Sequence, residues 1–239
     1  MNPFFLISPL ILQTFIWPGT RFLLWVFGHF EVKGLERLAG VSIDKGVIFA
    51  SNHTSELDPI LLPAGLPFLS RFMPIFYTSR EKKFYDTSGI LQLIYGGFIF
   101  QLWGAHRVMT GKKDYEKSLV NHVKIVEAGK SVFMFPEGGV TPDGTVQPAR
   151  GGVAYLAERT GAPVIPVGIS GAHKMKFSDF FLRRRHVSIT FGPAITVAEL
   201  HANVARSINH NPETAAEAQG NFYKEEAEYI MKKVKDCII

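Results

Sequence analysis

The stretch DYEKSLVNHVKIVEAGKSVFMF, residues 114–135, changes its apolar period once, and that change decides the fold class. Between Asp114 and Ala128, the residues Tyr115, Leu119, Val123 and Val126 fall roughly on one face of a helix. Gly129 then supplies a helix C-cap, since glycine enters the left-handed conformation without a Cβ clash. Ser131–Phe135 is apolar almost throughout, as a strand covered on both faces tends to be. A helix feeding directly into such a strand is the repeating step of an α/β fold. The expectation is a central, mostly parallel sheet flanked by helices.

Two strands in this reading stop at polar turns. Ser131–Phe135 runs into Pro136-Glu137-Gly138-Gly139, and the apolar run Val47–Ala50 ends at Ser51-Asn52-His53-Thr54-Ser55-Glu56-Leu57-Asp58-Pro59. Binding crevices form at the carboxyl ends of strands in open α/β sheets. A short turn between His53 and Asp58 can fold the carboxylate back onto the imidazole. A neutral imidazole takes a proton from an alcohol, and a carboxylate on its other nitrogen fixes the tautomer and stabilises the imidazolium. With the substrate's own hydroxyl as nucleophile, no serine or cysteine is required. His53 and Asp58 are the catalytic candidates. No third ligand converges on them in the sequence, so no metal is expected at that pair.

The chain has 239 residues, enough for one full core and an appendage. Phenylalanine occurs 20 times, the formal charge is +5, and the mean hydropathy of +0.10 is high for a freely soluble enzyme. A pI of about 9.3 suits an anionic membrane surface or an anionic substrate. There is no zinc-finger spacing, basic recognition helix or repeated basic-aromatic strand pattern, so nucleic acid is not an expected partner. The single cysteine, Cys237, excludes an intramolecular disulfide.

Residues 1–20 carry no charge, and Phe4–Trp17 is nearly all apolar. Pro18-Gly19 follows, and then a second apolar run, Phe22–Phe30. Each run is shorter than the roughly 20 residues that span a bilayer as a helix. Pro18 and Arg21 favour two short helices joined by a turn, lying in one leaflet with Trp17, Arg21 and Trp25 at the interface. A buried helix pair and a single kinked span are the alternatives. The start lacks the basic region and cleavage site of a signal peptide. The division expected is a membrane-anchoring segment, residues 1–30, and an α/β domain, residues 31–239.

Elsewhere the pattern predicts a strand near Glu31–Gly34 and a short helix from Asp58, broken up by Pro63, Gly65 and Pro67. A strand over Met73–Tyr77 and a helix from Arg80 toward Leu93 follow. A helix over Val153–Arg159 precedes a strand at Val164–Ile169, distorted at Pro166, which lacks a donor. Val187–Phe191 alternates like a half-buried strand, and an amphipathic helix from about Pro212 closes the fold. The basic run Arg183–His186 is either a second anchor or a solvated loop.

Several of these stretches resemble motifs of the glycerolipid acyltransferases, in particular the 1-acylglycerol-3-phosphate acyltransferases, over about residues 30–195. NHTSELDP is similar to the first motif, N-H-x-x-x-x-D, while Phe135–Gly139 and Val164–Val167 are similar to later ones. Gly96–Gln101, leading into Trp103–Arg107, resembles the second, a glycine-and-apolar segment ending in arginine. His106 stands where that family usually has an acidic residue, and the usual proline is absent. Gly138-Gly139-Val140-Thr141 departs from the family's Gly-Thr-Arg-Ser.

The resemblance implies transfer of a fatty acyl group from a thioester to the free hydroxyl of 1-acyl-sn-glycerol-3-phosphate, giving phosphatidic acid. The alternatives are another lysolipid or hydroxylated lipid as acceptor, or a non-enzymatic lipid-binding role. In this reading His53 deprotonates the acceptor and Asp58 orients it. Substrate contacts fall to Asn52, Ser55, Arg107, Glu137, Gly138 and Arg150, the last standing where the family commonly has lysine. Arg107 suits a phosphate because guanidinium donates two parallel hydrogen bonds. Backbone N–H groups near Ser55 or Gly138 are oxyanion donors to consider. No bound cofactor is implied; the donor is acyl-CoA or an acyl-acyl carrier protein. The partners implied are membrane lipids, a lysolipid and the carrier protein, at the cytoplasmic face of the inner or cell membrane. A lipid hydrolase would want a G-x-S-x-G elbow, which the sequence lacks.

Overall fold

The computed structural model describes residues 4–79, 98–108, 114–204 and 215–238. The helix expected from Arg80 toward Leu93, and the Gly96-Gly97 part of the second motif, lie outside the described residues.

Seven strands make one sheet: β1 (Glu31–Lys33), β2 (Val47–Ser51), β3 (Ile75–Ser79), β4 (Ala105–Arg107), β5 (Ser131–Met134), β6 (Val164–Ser170) and β7 (Ser188–Phe191). Their order is β1-β7-β6-β2-β5-β3-β4. From β6 to β4 every pairing is parallel; β7 runs antiparallel to β6, and β1 parallel to β7. The sheet is therefore mostly parallel. The register Ala50↔Met134 sets the ends of β2 and β5 side by side, so the turns after them emerge at one edge.

Successive residues of each central strand feed opposite cores, as the two-residue period demands. Ile48, Ala50, Val132 and Met134 pack with α4 (Tyr115–Glu127), α5 (Gly152–Thr160) and α8 (Ala215–Lys235). Val47, Phe49 and Phe133 join the core shared with α2 (Asp58–Gly65) and Leu24 of α1 (Phe4–Gly28). Three further helices, α3 (Phe98–Leu102), α6 (Phe177–Phe181) and α7 (Val197–Val204), complete the described set. α4 begins where expected: the Asp114 carboxylate accepts from the Lys117 N–H at 3.1 Å, and Gly129 follows the helix at φ +73°.

Three local expectations are corrected. First, α1 is one continuous helix through Pro9 and Pro18, not two. The Gln13 amide donates to Ile75 O (2.8 Å) and Trp103 O (2.9 Å), Trp17 Nε1 to Leu66 O (3.0 Å), and Arg21 Nη1 to Ala64 O (2.6 Å). These anchors share one side of the helix and straddle Pro18, so docking holds both halves on one axis. Second, α2 runs through Pro63. Proline removes the donor that would reach the carbonyl four residues back. The Tyr77 hydroxyl donates to that carbonyl, Pro59 O, at 2.7 Å. Third, β7 is buried along its whole length rather than half-buried: Ile189 and Phe191 pack against α2 and the Phe49 core, and Ser188 and Thr190 on the opposite face are buried as well.

Candidate active site

β2 is buried throughout and ends at Ser51, after which the chain leaves the sheet edge and turns back into α2. Asp58 is the first residue of α2 and is fully buried. Its Oδ2 accepts from the Thr54 N–H (2.6 Å) and the Ser55 N–H (2.9 Å), and its Oδ1 accepts from Thr54 Oγ1 (3.2 Å). A buried charge needs such donors to offset its lost hydration. The same Oδ2 lies 2.9 Å from Nδ1 of His53, whose side chain is 14% exposed. That contact assigns the proton of a neutral imidazole to Nδ1 and leaves Nε2 as the basic atom.

The turn after β5 supports the histidine from the other side. Phe135 stacks on the imidazole with ring centroids 3.9 Å apart and planes 13° from parallel. Glu137, buried, accepts from the His53 N–H through Oε1 (2.7 Å) and from the Gln147 N–H through Oε2 (2.7 Å). Burial pushes the Glu137 carboxyl above its ordinary range, against the opposing pull of those two amides and of His53. The Thr141 N–H donates to His53 O at 2.8 Å, completing the clamp. Gly138 has φ +75°, and a Cβ there would come within 2.8 Å of Arg150 Nε. A glycine is therefore what lets the exposed Arg150 guanidinium lie across this turn.

The other residues singled out in the sequence divide by position. Asn52 uses both ends of its amide on one residue of β6, donating to Ile169 O (2.8 Å) and accepting from Ile169 N (2.9 Å). It braces the β2 end rather than facing outward. Ser55 N is held by Asp58, and Gly138 N donates to Phe135 O at 2.9 Å. The N–H groups of Ser55 and Gly138 themselves are thus already engaged, which leaves their neighbours in the two turns as the oxyanion donors to consider. Arg107 is exposed at the end of the edge strand β4. It shares the carboxyl edge with His53 but sits three strand spacings from β2, roughly 14 Å sideways. Phe135, Thr141 and Gln147 carry supporting contacts that sequence spacing does not announce. Only the adjacency of β2 and β5 brings them to the histidine.

An α/β sheet carrying a histidine oriented by a buried aspartate at its carboxyl edge defines a protein equipped to activate a hydroxyl group. The Acyltransferase family model matches residues 29–170, more than half of the chain, and the protein belongs to that family. It is 29% identical over 156 residues to a chloroplastic 1-acyl-sn-glycerol-3-phosphate acyltransferase of Brassica napus, covering 64% of this chain and 40% of that protein. With the chloroplastic enzyme of the same name from Arabidopsis thaliana it shares 28% identity over 193 residues, 77% of this chain and 49% of the relative. The human 1-acyl-sn-glycerol-3-phosphate acyltransferase beta is 28% identical over 153 residues, covering 64% and 49%. The chain thus spans about half the length of the curated relatives it matches. The fold is similar to that of the crystal structure of the 1-acyl-sn-glycerophosphate acyltransferase PlsC from Thermotoga maritima, with TM-score 0.54, 16% identity, and 92% and 80% of the two chains covered.

Proposed function

We propose that the protein transfers a fatty acyl group from an acyl thioester, acyl-CoA or an acyl-acyl carrier protein, to the free hydroxyl of 1-acyl-sn-glycerol-3-phosphate, giving phosphatidic acid. The observation that carries the chemistry is the His53 Nδ1–Asp58 Oδ2 contact at 2.9 Å at a fully buried carboxylate. The names of the relatives support the choice of acceptor.

Nε2 of His53 takes the hydroxyl proton as the acceptor oxygen attacks the thioester carbonyl. The new C–O bond forms, the C–S bond breaks from the tetrahedral intermediate, and the imidazolium returns its proton to the departing thiolate. Asp58 stabilises the imidazolium and holds its tautomer, and Phe135 fixes the plane of the ring. Asn52 and Glu137 act by positioning, since their polar atoms bind backbone. Arg150, beside Gly138, contacts the acceptor's anionic head near the histidine, and Arg107 serves the outer end of the same edge. Holding both substrates at this edge supplies much of the rate.

The test is thioester consumption and lipid product formation by purified protein in liposomes. It uses both donor types, a panel of lysolipids, and His53→Ala as the control. Phosphatidic acid formed by the wild type and lost in the folded variant is the expected result. Transfer only to another lysolipid would move the acceptor assignment. Equal transfer by His53→Ala would sink the mechanism.

A further inference from the structure

On the sheet face opposite α1 and α2, three ionisable side chains from three helices meet: Glu158 of α5, His201 of α7 and Glu226 of α8. One ligand atom from each lies within 4.8 Å of the others. His201 Nε2 is 2.8 Å from Glu158 Oε1 and 3.9 Å from Glu226 Oε1. Glu226 is 0% exposed, and among the described residues neither of its carboxylate oxygens meets a hydrogen-bond donor. Glu158 Oε1 is likewise buried, paired with the imidazole of His201 and facing the Glu226 carboxyl. Buried carboxylates are ordinarily paired, hydrogen-bonded or bound to a cation. Here two of them converge on one imidazole nitrogen, at the edge of an apolar cluster that includes Leu156, Leu200, Ala227 and Ile230.

We propose that Glu158, His201 and Glu226 form a divalent-cation site, zinc by its donor set, that fastens α7 and α8 to α5. One imidazole nitrogen with two carboxylate oxygens suits zinc, which takes nitrogen and oxygen donors at about 2.0–2.2 Å. Tetrahedral bonds of that length set ligand atoms roughly 3.3 Å apart. The 2.8 and 3.9 Å separations straddle that value and the third is no more than 4.8 Å, so side-chain rotations alone can bring the three atoms onto one ion. Magnesium and calcium prefer more oxygen ligands and no imidazole. His201 is half exposed, which gives the ion a way in and leaves the fourth position to water. The site lies in the scaffold and takes no part in the His53 chemistry.

The experiment uses full-length protein without a polyhistidine tag, in detergent, stripped with a chelator and dialysed against zinc chloride. The expected result is one zinc per chain, and a Tm rise of roughly 5–10 °C at free zinc about 100 times Kd. Magnesium and calcium chloride should give no such rise. Affinity should fall at least tenfold in Glu226→Gln, which keeps the buried volume, and in the exposed-site variant His201→Gln. Cobalt chloride should give visible absorption of a low-coordinate site in the wild type, lost in both variants. Zinc bound equally by wild type and both variants would mark adventitious binding to other histidines and overturn the proposal. So would folded, stripped wild type that binds no zinc, or an equal Tm rise with magnesium. If Glu226→Gln fails to fold, His201→Gln alone decides.

Discussion

At the residue scale, the Asp58 carboxylate faces His53 Nδ1 while accepting from the Thr54 and Ser55 amides, so its replacement acts on shape and chemistry together. Asp58→Asn keeps the volume but removes the charge that stabilises the imidazolium. The expected loss in kcat is about 10²- to 10⁴-fold, with acceptor KM nearly unchanged. Denaturant unfolding should show a stability loss of about 1–3 kcal/mol from the two weakened amide contacts. Glu137→Gln separates positioning from substrate binding. The carboxylate holds the His53 and Gln147 N–H groups, and a carboxamide offers only one acceptor oxygen, so one of those bonds fails. Steady-state kinetics on Glu137→Gln should show a lower kcat through a displaced His53 and an unchanged acceptor KM. A raised KM with kcat intact would make Glu137 an acceptor contact instead.

At the element scale, α4 carries a fully buried histidine on the face that meets the sheet. His122 Nε2 lies 3.3 Å from Tyr77 O of β3, and burial lowers the imidazole from its ordinary 6.5 to about 4. The folded protein therefore resists protonating His122 where the unfolded chain accepts the proton. Its contribution to stability is complete above pH 6.5 and is lost as pH falls toward 4. The full difference is about 3 kcal/mol. Thermal unfolding between pH 7 and 4.5 should fall less steeply in His122→Leu than in wild type, and parallel slopes would contradict this assignment. α4 itself is legible in the sequence, since its periodicity and the Gly129 stop are both local. The same is true of the polar turns after β2 and β5, which locate His53, Asp58 and Glu137. What spacing does not carry is contact across strand order. The Phe135–His53 stack and the Glu137 bond to the His53 N–H depend on β2 and β5 being neighbours. Tertiary bonds decide α1 and α2 in the same way. Pro18 and Pro63 read locally as breaks, but Trp17 and Arg21 dock one helix, and the Tyr77 hydroxyl satisfies the other.

At the scale of the whole molecule, α1 is an inverted amphipath. Gln13, Arg21 and Leu24 face the domain, whereas Phe4, Ile7, Ile11, Phe15, Phe22 and Trp25 are exposed at steps that keep them on the opposite side. The helix is long and apolar enough to cross a membrane, yet it is docked along its length on α2 and β3. That arrangement suits a helix half-sunk in one leaflet, with only its exposed stripe in lipid. The apolar surface continues past Phe27, whose ring meets Phe180 and Phe181 of α6, to the exposed Phe177 and Leu182. The basic residues Arg183–Arg185 follow directly in the chain and suit contact with anionic headgroups. The double variant Ile11→Glu, Phe15→Glu tests it. Each exposed apolar side chain that enters lipid contributes about 1.5–3 kcal/mol, so two charges in their place should weaken vesicle binding by at least 10²-fold. Unfolding in detergent should shift little, because neither side chain is buried in the protein. Co-sedimentation with liposomes, read beside acyl transfer to a detergent-dispersed acceptor, separates anchoring from chemistry. Lost sedimentation with detergent activity retained assigns the stripe to membrane docking; unchanged sedimentation would move the anchor to α6 and its arginines.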